Sequence, residues 1–262
     1  MATSAERTTA QSLQDKVVLI TGGRRVGGEL ALLMAAQGWR VAMTYHTSRA
    51  AIERTIKSVE EEGTEGLAIA ADLARPEQAQ NAVNQVVARF GRLDALVNMA
   101  SVFRRTPLAD LSARDFDDMI AGNLAAPYHT ALSAARQMLT QPEIDGIKGK
   151  IVVIGDWATD RPYKDYLPYL VAKGGLKTMT LALAKELAPH ITVAMIQPAM
   201  IDPPPQLTDD DKAAVVAATP LRRVGSPDDV NRLILYLLEG TNFVTGACVR
   251  VDGGRFLGED SC

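Results

Sequence analysis

The sequence KVVLITGGRRVGG at residues 16–28 decides the fold. Residues 16–21 form a short apolar run with no polar alternation, which is typical of a strand buried on both faces. Two glycines follow the run, and apolar residues then recur with helical spacing over residues 27–37. A strand, a glycine-rich turn and a helix in this order predict the first unit of a parallel α/β sheet.

The same alternation continues along the chain. Further strands are predicted at residues 40–45, 66–70, 95–98, 150–154, 191–196 and 247–251. Helices are predicted between them, at residues 27–37, 50–62, 76–90, 112–122, 124–140, 167–188 and 226–238. Because parallel strands are joined by right-handed crossovers, we predict a Rossmann-like doubly wound parallel sheet of about seven strands, with helices on both faces.

No internal repeat or linker divides the chain of 262 residues. We predict a flexible N-terminal arm over residues 1–15 and a single dinucleotide-binding catalytic domain over residues 16–262. The one compositional break is the sequence DPPPQLTDDD at residues 202–211. Prolines followed by acids cannot continue the sheet, so this segment is expected to be a loop with some mobility.

Composition narrows the classes of function. The net charge is -3, with no basic excess to attract nucleic acid or an anionic membrane. No apolar run approaches the roughly 18 residues of a membrane helix, and the polar N-terminus lacks the apolar core of a secretory signal. Two cysteines without a C-x-x-C motif and three scattered histidines indicate neither a disulfide framework nor a metal site. We therefore expect a cytoplasmic, metal-free protein.

The glycine-rich turn predicts a phosphate site. Gly22, Gly23 and Gly27 allow backbone N–H groups to approach a pyrophosphate at the positive end of the helix that follows. The turn lacks the full G-x-G-x-x-G pattern, so a plain tight turn is the alternative.

The end of the second strand favours NADPH over NADH. A site for NAD usually places Asp or Glu there, about 20 residues after the glycines, to bind the ribose hydroxyls. Here the segment is Tyr45-His46-Thr47-Ser48, with no acid, and Arg24 and Arg25 lie in the facing loop. Hydroxyls and cations suit a 2′-phosphate. The alternative is a solvated basic turn.

A tyrosine and a lysine indicate reductase chemistry. Tyr169 and Lys173 are four residues apart and lie on one face of a predicted helix. A nearby lysine cation stabilises phenolate and is expected to lower the pKa of Tyr169 from its usual value of about 10. Such a tyrosine can donate a proton while the adjacent substrate carbon receives a hydride. The preceding strand ends in Gly155 and Asp156, at the sheet edge where ligands bind in such folds.

Over residues 17–254 the chain resembles the short-chain dehydrogenase/reductase family. The motifs that carry the resemblance occur in order: Thr21-Gly22, Asp72-Leu73, Asn98-Met99-Ala100-Ser101, Asn123, Tyr169 with Lys173, Pro198 and Val251-Asp252-Gly253-Gly254. The resemblance implies an NADPH site formed by Gly22, Arg24, Arg25, Val26, Gly27, Tyr45, His46, Thr47, Ser48, Asp72, Leu73, Asn98, Ala100, Ser101, Tyr169, Lys173 and Pro198.

The resemblance implies further features of the family. Asn123 would hold a water that links Lys173 to solvent and would join Asp156, Tyr169 and Lys173 as a catalytic residue. A substrate loop is expected at about residues 200–220. A homotetramer built on the helices around residues 125–140 and 168–188 is also implied.

Within the family the chain is similar to the pteridine reductases. Three features of this chain are also typical of those enzymes: Arg25 in the glycine turn, Asp156 thirteen residues before Tyr169, and the segment at residues 45–48. They also share Phe103, which in those enzymes stacks a pterin against the nicotinamide. The similarity implies substrate contacts from Arg25, Phe103, Asp156 and Tyr169. A Phe103 packed into the core is the alternative.

The two arginines that follow Phe103 have two possible roles. Arg104 and Arg105 could contact the glutamate tail of a folate, or they could be solvated.

Asp156 stands where most members of the family have serine. A serine hydroxyl polarises a ketone oxygen, whereas a carboxylate repels developing oxyanion charge unless it is protonated. Reduction of a ring C=N forms no alkoxide, and an Asp–Tyr pair can pass a proton to the nitrogen. The substitution therefore favours a dihydropterin or dihydrofolate as substrate. The alternative is that Asp156 only caps the strand end and Tyr169 acts alone.

Three functions remain open, each with a small-molecule ligand and without nucleic acid or membrane. The first is NADPH-dependent reduction of a pterin or folate-type ring C=N, with a proton from Tyr169 assisted by Asp156 and Lys173. The second is NADPH-dependent reduction of a ketone or 3-oxoacyl thioester. The third is a non-catalytic NADPH-binding redox sensor, against which the intact Tyr169–Lys173 pair argues.

Overall fold

The sheet is built from seven strands: β1 (Val17–Thr21), β2 (Arg40–Tyr45), β3 (Gly66–Ala70), β4 (Ala95–Asn98), β5 (Gly149–Ile154), β6 (Ile191–Pro198) and β7 (Cys248–Val251). They form one sheet in the order β3-β2-β1-β4-β5-β6-β7, and every neighbouring pair is parallel. The predicted doubly wound sheet is therefore confirmed. The structure is a computed structural model that describes residues 16–23, 25–203 and 207–258, so the predicted arm over residues 1–15 and Arg24 lie outside the described residues.

Helices connect the strands. They are α1 (Val26–Ala36), α2 (Arg49–Glu61), α3 (Pro76–Phe90), α4 (Ala113–Ile120), α5 (Ala126–Thr140), α6 (Leu167–Leu187), α7 (Asp209–Ala217) and α8 (Pro227–Leu235). A π-helical turn, Ala121–Ala125, joins α4 directly to α5, and a second one, Tyr236–Gly240, follows α8. Short 3₁₀ turns lie at Leu108–Asp110, Trp157–Thr159 and Arg255–Leu257.

Two hydrophobic cores lie on opposite faces of the sheet. Val17 and Leu19 point into the core with the buried residues of α3, α5 and α6, whereas Val18 and Ile20 point into the core with those of α1, α2 and α8. Successive strand residues point to opposite faces, so an uninterrupted apolar run supplies both cores at once. This explains why β1 shows no polar alternation.

The predicted loop at residues 202–211 is wrong for its last residues, because α7 begins at Asp209. The Thr208 hydroxyl accepts a hydrogen bond from the Asp211 backbone N–H at 3.1 Å, and the Asp211 carboxylate accepts from the Thr208 backbone N–H at 3.2 Å. This is a capping box, and carboxylates in the first turn also interact favourably with the helix dipole. The acidic run therefore starts a helix.

The strand order reverses between β1 and β4, so the loops after these two strands lead to opposite faces of the sheet. Ligands of doubly wound sheets bind in the crevice that this reversal opens at the carboxyl edge. The segments that follow β1, β4, β5 and β6 all begin at this edge, and they carry most of the predicted site residues.

Lys150 lies near the amino end of β5, far from that edge, and is buried. Its ammonium donates hydrogen bonds to the carbonyl oxygens of Leu237 at 3.1 Å and Thr241 at 2.7 Å, beside the second π-helical turn. Burial lowers the pKa of Lys150 to about 8, and the charge of Lys16 adds to this effect. The cation is therefore held by carbonyl dipoles and loses its proton readily.

We expect the wild-type protein to gain stability relative to Lys150→Met as the pH rises from about 8 to about 10. The unfolded lysine keeps its proton to about pH 10.4, so in this window the unfolded state binds more protons and stability rises with pH. The pKa of about 8 lies about 2.5 below the usual value for lysine, which corresponds to about 3 kcal/mol. Urea unfolding of both proteins at several pH values measures the difference, and parallel stability curves would contradict the lowered pKa.

Among the described residues, no helix has both the length and the apolar character needed to cross a bilayer. No group of His, Cys, Asp and Glu side chains within the same residues is arranged to hold a metal ion.

Candidate active site

The glycine turn after β1 packs tightly against the loop after β4. Gly22 and Gly23 have φ values of +60° and +73°, and a Cβ atom on Gly22 would lie 2.9 Å from the Cα atom of Ala100. A Cβ atom on Gly27 would lie 3.0 Å from the sulfur of Met99. No side chain caps the N-terminus of α1 at Arg25, so the N–H groups of Val26 and Gly27 have no side-chain partner, whereas the Gly28 N–H donates to the Gly23 carbonyl oxygen at 3.0 Å. A turn of this shape suits the pyrophosphate of a dinucleotide.

Arg25 links the glycine turn to the segment after β6. Its guanidinium lies 2.9 Å from the carboxylate of Asp202 and also donates to the Asp202 carbonyl oxygen at 3.2 Å. Both side chains are about half exposed, so the pair contributes little stability and can be broken by a ligand. The structure thus places Arg25 between the predicted cofactor site and the predicted substrate loop.

The segment predicted to bind a 2′-phosphate is exposed at the end of β2. His46 and Thr47 are exposed, and Ser48 is the N-cap residue of α2. The Ser48 side chain makes no capping hydrogen bond, so its hydroxyl and the first N–H groups of α2 are available to an anion.

The residues after β3 make contacts within the protein. The Asp72 carboxylate accepts a hydrogen bond from the Ala74 N–H at 3.2 Å and pairs with Arg75 at 3.3 Å. Leu73 is buried in the core, so its side chain is not placed to contact a ligand.

Asn98, at the end of β4, is also buried. Its amide donates to the Pro127 carbonyl oxygen at 3.1 Å and accepts from the Thr21 hydroxyl at 3.4 Å. The Thr21 hydroxyl in turn accepts from the backbone N–H groups of Met99 and Ala100. The side chain of Asn98 therefore fixes the loop beside the glycine turn and leaves ligand contacts to the backbone.

Asp156 and Tyr169 form the centre of the candidate site. The Tyr169 hydroxyl donates a hydrogen bond to Oδ2 of Asp156 at 2.7 Å, and the Tyr163 hydroxyl approaches the same oxygen at 3.4 Å. The backbone N–H of Ala158 donates to Oδ1 at 2.8 Å. Three donors thus orient one carboxyl group at the end of β5.

Burial controls the protonation of this pair. It raises the pKa of Asp156, although the hydrogen bonds from Tyr169 and Ala158 and the charge of Lys173 oppose the change. Burial also raises the pKa of Tyr169 well above its ordinary value, and the charge of Asp156 adds to this effect. The expectation that Lys173 lowers the pKa of Tyr169 is therefore wrong in this structure, because desolvation and the neighbouring carboxylate outweigh the lysine.

Lys173 is buried beneath Tyr169. Its ammonium donates to the Ile154 carbonyl oxygen at 2.9 Å and lies 5.8 Å from the centre of the Tyr169 ring. Burial lowers the pKa of Lys173 to about 8, and the charge of Asp156 acts in the opposite direction. The end of β5 therefore orients both Asp156 and Lys173.

Asn123 lies in the first π-helical turn and is fully buried. Its Oδ1 accepts from the Ser101 hydroxyl at 2.7 Å and from the Val102 N–H at 3.0 Å, and its amide donates to the carbonyl oxygens of Val102 and Met119. The side chain therefore holds the loop after β4, and the water that Asn123 is expected to hold stays a prediction.

Aromatic rings form one wall of the site. Phe103 is 58% exposed, which excludes the core position considered as the alternative. Its ring stacks on Tyr166 with centroids 4.6 Å apart and meets the edge of Tyr169 at 5.0 Å. Sequence reasoning missed Tyr163 and Tyr166, although tyrosines at residues 163, 166 and 169 recur with a spacing that could have indicated a cluster.

Gln197, at the end of β6, is a third residue that the sequence analysis did not identify. It is buried and donates to the Asp156 carbonyl oxygen at 3.2 Å and to the Thr159 hydroxyl at 2.9 Å. It thereby fixes the backbone of Asp156 beside Pro198, the last residue of β6.

The two arginines after Phe103 are both paired. Arg104 forms ion pairs with Asp115 at 2.9 Å and Asp118 at 3.2 Å, and Arg105 pairs with Asp165. Neither guanidinium is therefore free to bind a substrate without first losing a carboxylate partner.

Known proteins are similar to this chain over most of its length. The family model described as enoyl-(acyl carrier protein) reductase matches residues 23–255. The 3-oxoacyl-[acyl-carrier-protein] reductase FabG of Staphylococcus epidermidis is 29% identical over 248 residues, which cover 93% of this chain and 100% of the relative.

Solved structures show the same fold. A short-chain dehydrogenase/reductase from Serratia marcescens has a TM-score of 0.85 at 32% identity, with 94% of this chain and 99% of that chain covered. Acetoin dehydrogenase from Enterobacter cloacae has a TM-score of 0.85 at 30% identity, with 95% and 98% covered. The chain therefore belongs to the short-chain dehydrogenase/reductase family of NAD(P)-dependent oxidoreductases.

Proposed function

We propose that the protein is an NADPH-dependent reductase of a ring C=N bond of the pterin or folate type. The observation that carries this proposal is the 2.7 Å hydrogen bond from the Tyr169 hydroxyl to the carboxyl group of Asp156. A carboxyl group here can return a proton to Tyr169, whereas an ionised Asp156 would repel the alkoxide that forms when a ketone is reduced. A ring nitrogen becomes an N–H group instead and develops no such charge.

The side chains of the site account for the proton. NADPH supplies the hydride when it is bound. Tyr169 donates its proton to the ring nitrogen and takes one from protonated Asp156, which solvent then reprotonates. The raised pKa of Asp156 brings its protonated form closer to neutral pH. Lys173, 5.8 Å from the Tyr169 ring, favours the transient phenolate.

The choice of NADPH is supported by the end of β2. Thr47 is exposed, Ser48 has an unused hydroxyl at the N-terminus of α2, and no acid stands in the segment Tyr45-His46-Thr47-Ser48. Arg25 supplies a cation in the facing turn after its pair with Asp202 opens. These groups suit a 2′-phosphate. We expect NADPH to bind at least about tenfold more tightly than NADH.

Phe103 provides a place for a flat ring. Its ring is more than half exposed and lies against the edge of Tyr169, the proposed proton donor. An aromatic face of this kind binds planar heterocycles by stacking.

The second candidate is reduction of a ketone or 3-oxoacyl thioester. It is favoured by the relatives, because one is named a 3-oxoacyl-[acyl-carrier-protein] reductase and another an acetoin dehydrogenase. In this case protonated Asp156 and Tyr169 would both donate to the carbonyl oxygen, which the raised pKa of Asp156 permits.

A substrate panel tests the two candidates. NADPH oxidation is followed with dihydrobiopterin, dihydrofolate, acetoin and acetoacetyl-CoA at equal enzyme concentration. We expect kcat/KM to be at least about tenfold higher for the two pterin-type compounds. Turnover of the carbonyl compounds alone would replace the proposal by the second candidate, and NADPH binding without any turnover would favour the redox sensor.

The homotetramer implied by the family resemblance stays a prediction. Light scattering coupled to gel filtration measures it directly.

A further inference from the structure

A cavity of about 330 Å³ lies between α7 and the segment after β7. Its apolar walls include Met200, Val215 and Leu221, and its charged walls include Arg223, Arg250 and Arg255. The volume falls in the range of small-molecule sites, which combine apolar walls with a few polar groups. No residue of the proposed reaction centre lines it.

The cavity nevertheless adjoins that centre through Arg255. The guanidinium of Arg255 lies 5.3 Å from the centre of the Trp157 ring, and Trp157 directly follows Asp156. Burial raises the pKa of Tyr163, whose hydroxyl contacts Asp156, and the charge of Arg255 opposes this change. A ligand that reaches from the Tyr169 hydroxyl past these rings would therefore meet Arg255.

Three of the charged side chains around the cavity have partners within the protein. Arg223 forms two hydrogen bonds with Asp229 at 2.6 Å and 2.7 Å, and Arg250 lies 3.6 Å from Asp160. The carboxylate of Asp252 accepts from the backbone N–H groups of Gly254 and Phe256. Each of these three side chains therefore already has a partner of opposite charge or polarity.

Arg255 differs from them. Its guanidinium makes no ion pair or side-chain hydrogen bond with any residue in the described part of the chain and lies near the ring of Trp157. It is half-buried, and burial lowers its pKa. A partly desolvated cation without a carboxylate is costly, and a planar guanidinium matches the two oxygens of a carboxylate.

We propose that this cavity binds a carboxylate-bearing tail of the substrate, with Arg255 as the partner of the carboxylate. The inference rests on the proposed function and narrows it to folate-type substrates over unconjugated pterins. The apolar residues Met200, Val215 and Leu221 receive the uncharged part of the tail. Arg104 and Arg105, the arginines that the sequence suggested for this task, are occupied by carboxylates of the protein itself.

The test uses a fragment that cannot be reduced. Binding of 4-aminobenzoylglutamate to the NADP-loaded protein is measured by calorimetry for the wild type, Arg255→Leu, Arg255→Lys and the control Arg104→Leu. We expect Arg255→Leu to weaken binding by about 10- to 100-fold, Arg255→Lys to weaken it less, and Arg104→Leu to bind as the wild type does. NADPH affinity that is unchanged in all variants shows that the fold is retained.

Steady-state kinetics supply a second readout. In Arg255→Leu the KM for dihydrofolate should rise by about tenfold or more, whereas kcat and the KM for dihydrobiopterin should not change. Equal binding of the fragment by wild type and Arg255→Leu, or equal changes for both substrates, would overturn the inference. If no pterin is turned over while Arg255→Leu still loses the fragment, the carboxylate site stands and the proposed reaction fails.

Discussion

Replacing Tyr169 by phenylalanine is expected to lower kcat/KM for NADPH-dependent reduction by about 100- to 10,000-fold, which is the range for loss of a positioned proton donor. The Tyr169 hydroxyl is the donor at 2.7 Å from Asp156, and its ring contacts both Phe103 and the ammonium of Lys173. The substitution removes one oxygen atom and keeps the ring, so these packing contacts remain. Initial rates with the preferred substrate measure the loss, and fluorescence titration measures NADPH affinity.

Tyr163→Phe is the matched control. This substitution also removes a tyrosine hydroxyl that contacts Oδ2 of Asp156, but that hydroxyl lies 3.4 Å from the oxygen. We expect a loss of less than about tenfold, because this hydroxyl orients the carboxyl group without donating to the substrate. Equal losses in the two variants would show that both tyrosines act only by orienting Asp156 and would contradict the assignment of Tyr169 as the proton donor.

Asp156→Ser is expected to lower kcat/KM for a dihydropterin by about 10- to 100-fold and to leave or raise the activity towards a ketone. The serine can polarise a carbonyl oxygen but cannot return a proton to Tyr169. The ratio of the two activities is therefore the informative quantity. A variant that loses ketone and pterin activity equally would show that Asp156 has only a structural role at the end of β5.

The pH profile of the same two proteins gives an independent measurement. In the wild type, kcat/KM should fall as the pH rises through the raised pKa of Asp156, because only the protonated carboxyl group can resupply Tyr169. In Asp156→Ser this limb should be absent. A second limb near pH 8, where Lys173 loses its proton, should remain in the wild type and move to lower pH in Asp156→Ser, because the charge of Asp156 that raises the pKa of Lys173 is gone.

Local patterns in the sequence were sufficient to predict most of the fold. Uninterrupted apolar runs indicated strands buried on both faces, and these runs correspond to the seven strands of the sheet. The exception is α7, where three acidic residues were interpreted as a loop. These residues form a helix because Thr208 and Asp211 make a capping box, which provides hydrogen-bond partners for backbone N–H groups of the first turn. This local contact outweighs the preference for a loop that the composition of the segment suggests.

The sequence likewise predicts some contacts of the candidate site and not others. Tyr169 and Lys173 are neighbours because they are four positions apart in α6, and the geometry of a helix alone brings such residues together. The proximity of Asp156 to Tyr169 was expected from the family motif and depends on how the segment after β5 returns to α6. The contact of Gln197 with Asp156 has no signature in the sequence, and the contact of Tyr163 is indicated only by the spacing of the tyrosines at residues 163, 166 and 169.

The sequence by itself determined the parallel α/β architecture, the order of the motifs and the residues around which the chemistry is proposed. The tertiary structure alone decided how those residues titrate and which charges are paired. Burial raises the pKa of Tyr169 where spacing to Lys173 suggested a lower one. Ion pairs occupy Arg104, whereas Arg255 pairs with no carboxylate among the residues that the structure describes. The physical reason is that desolvation and charge pairing depend on all neighbours in space, whereas periodicity in a sequence reports only neighbours along one helix or strand.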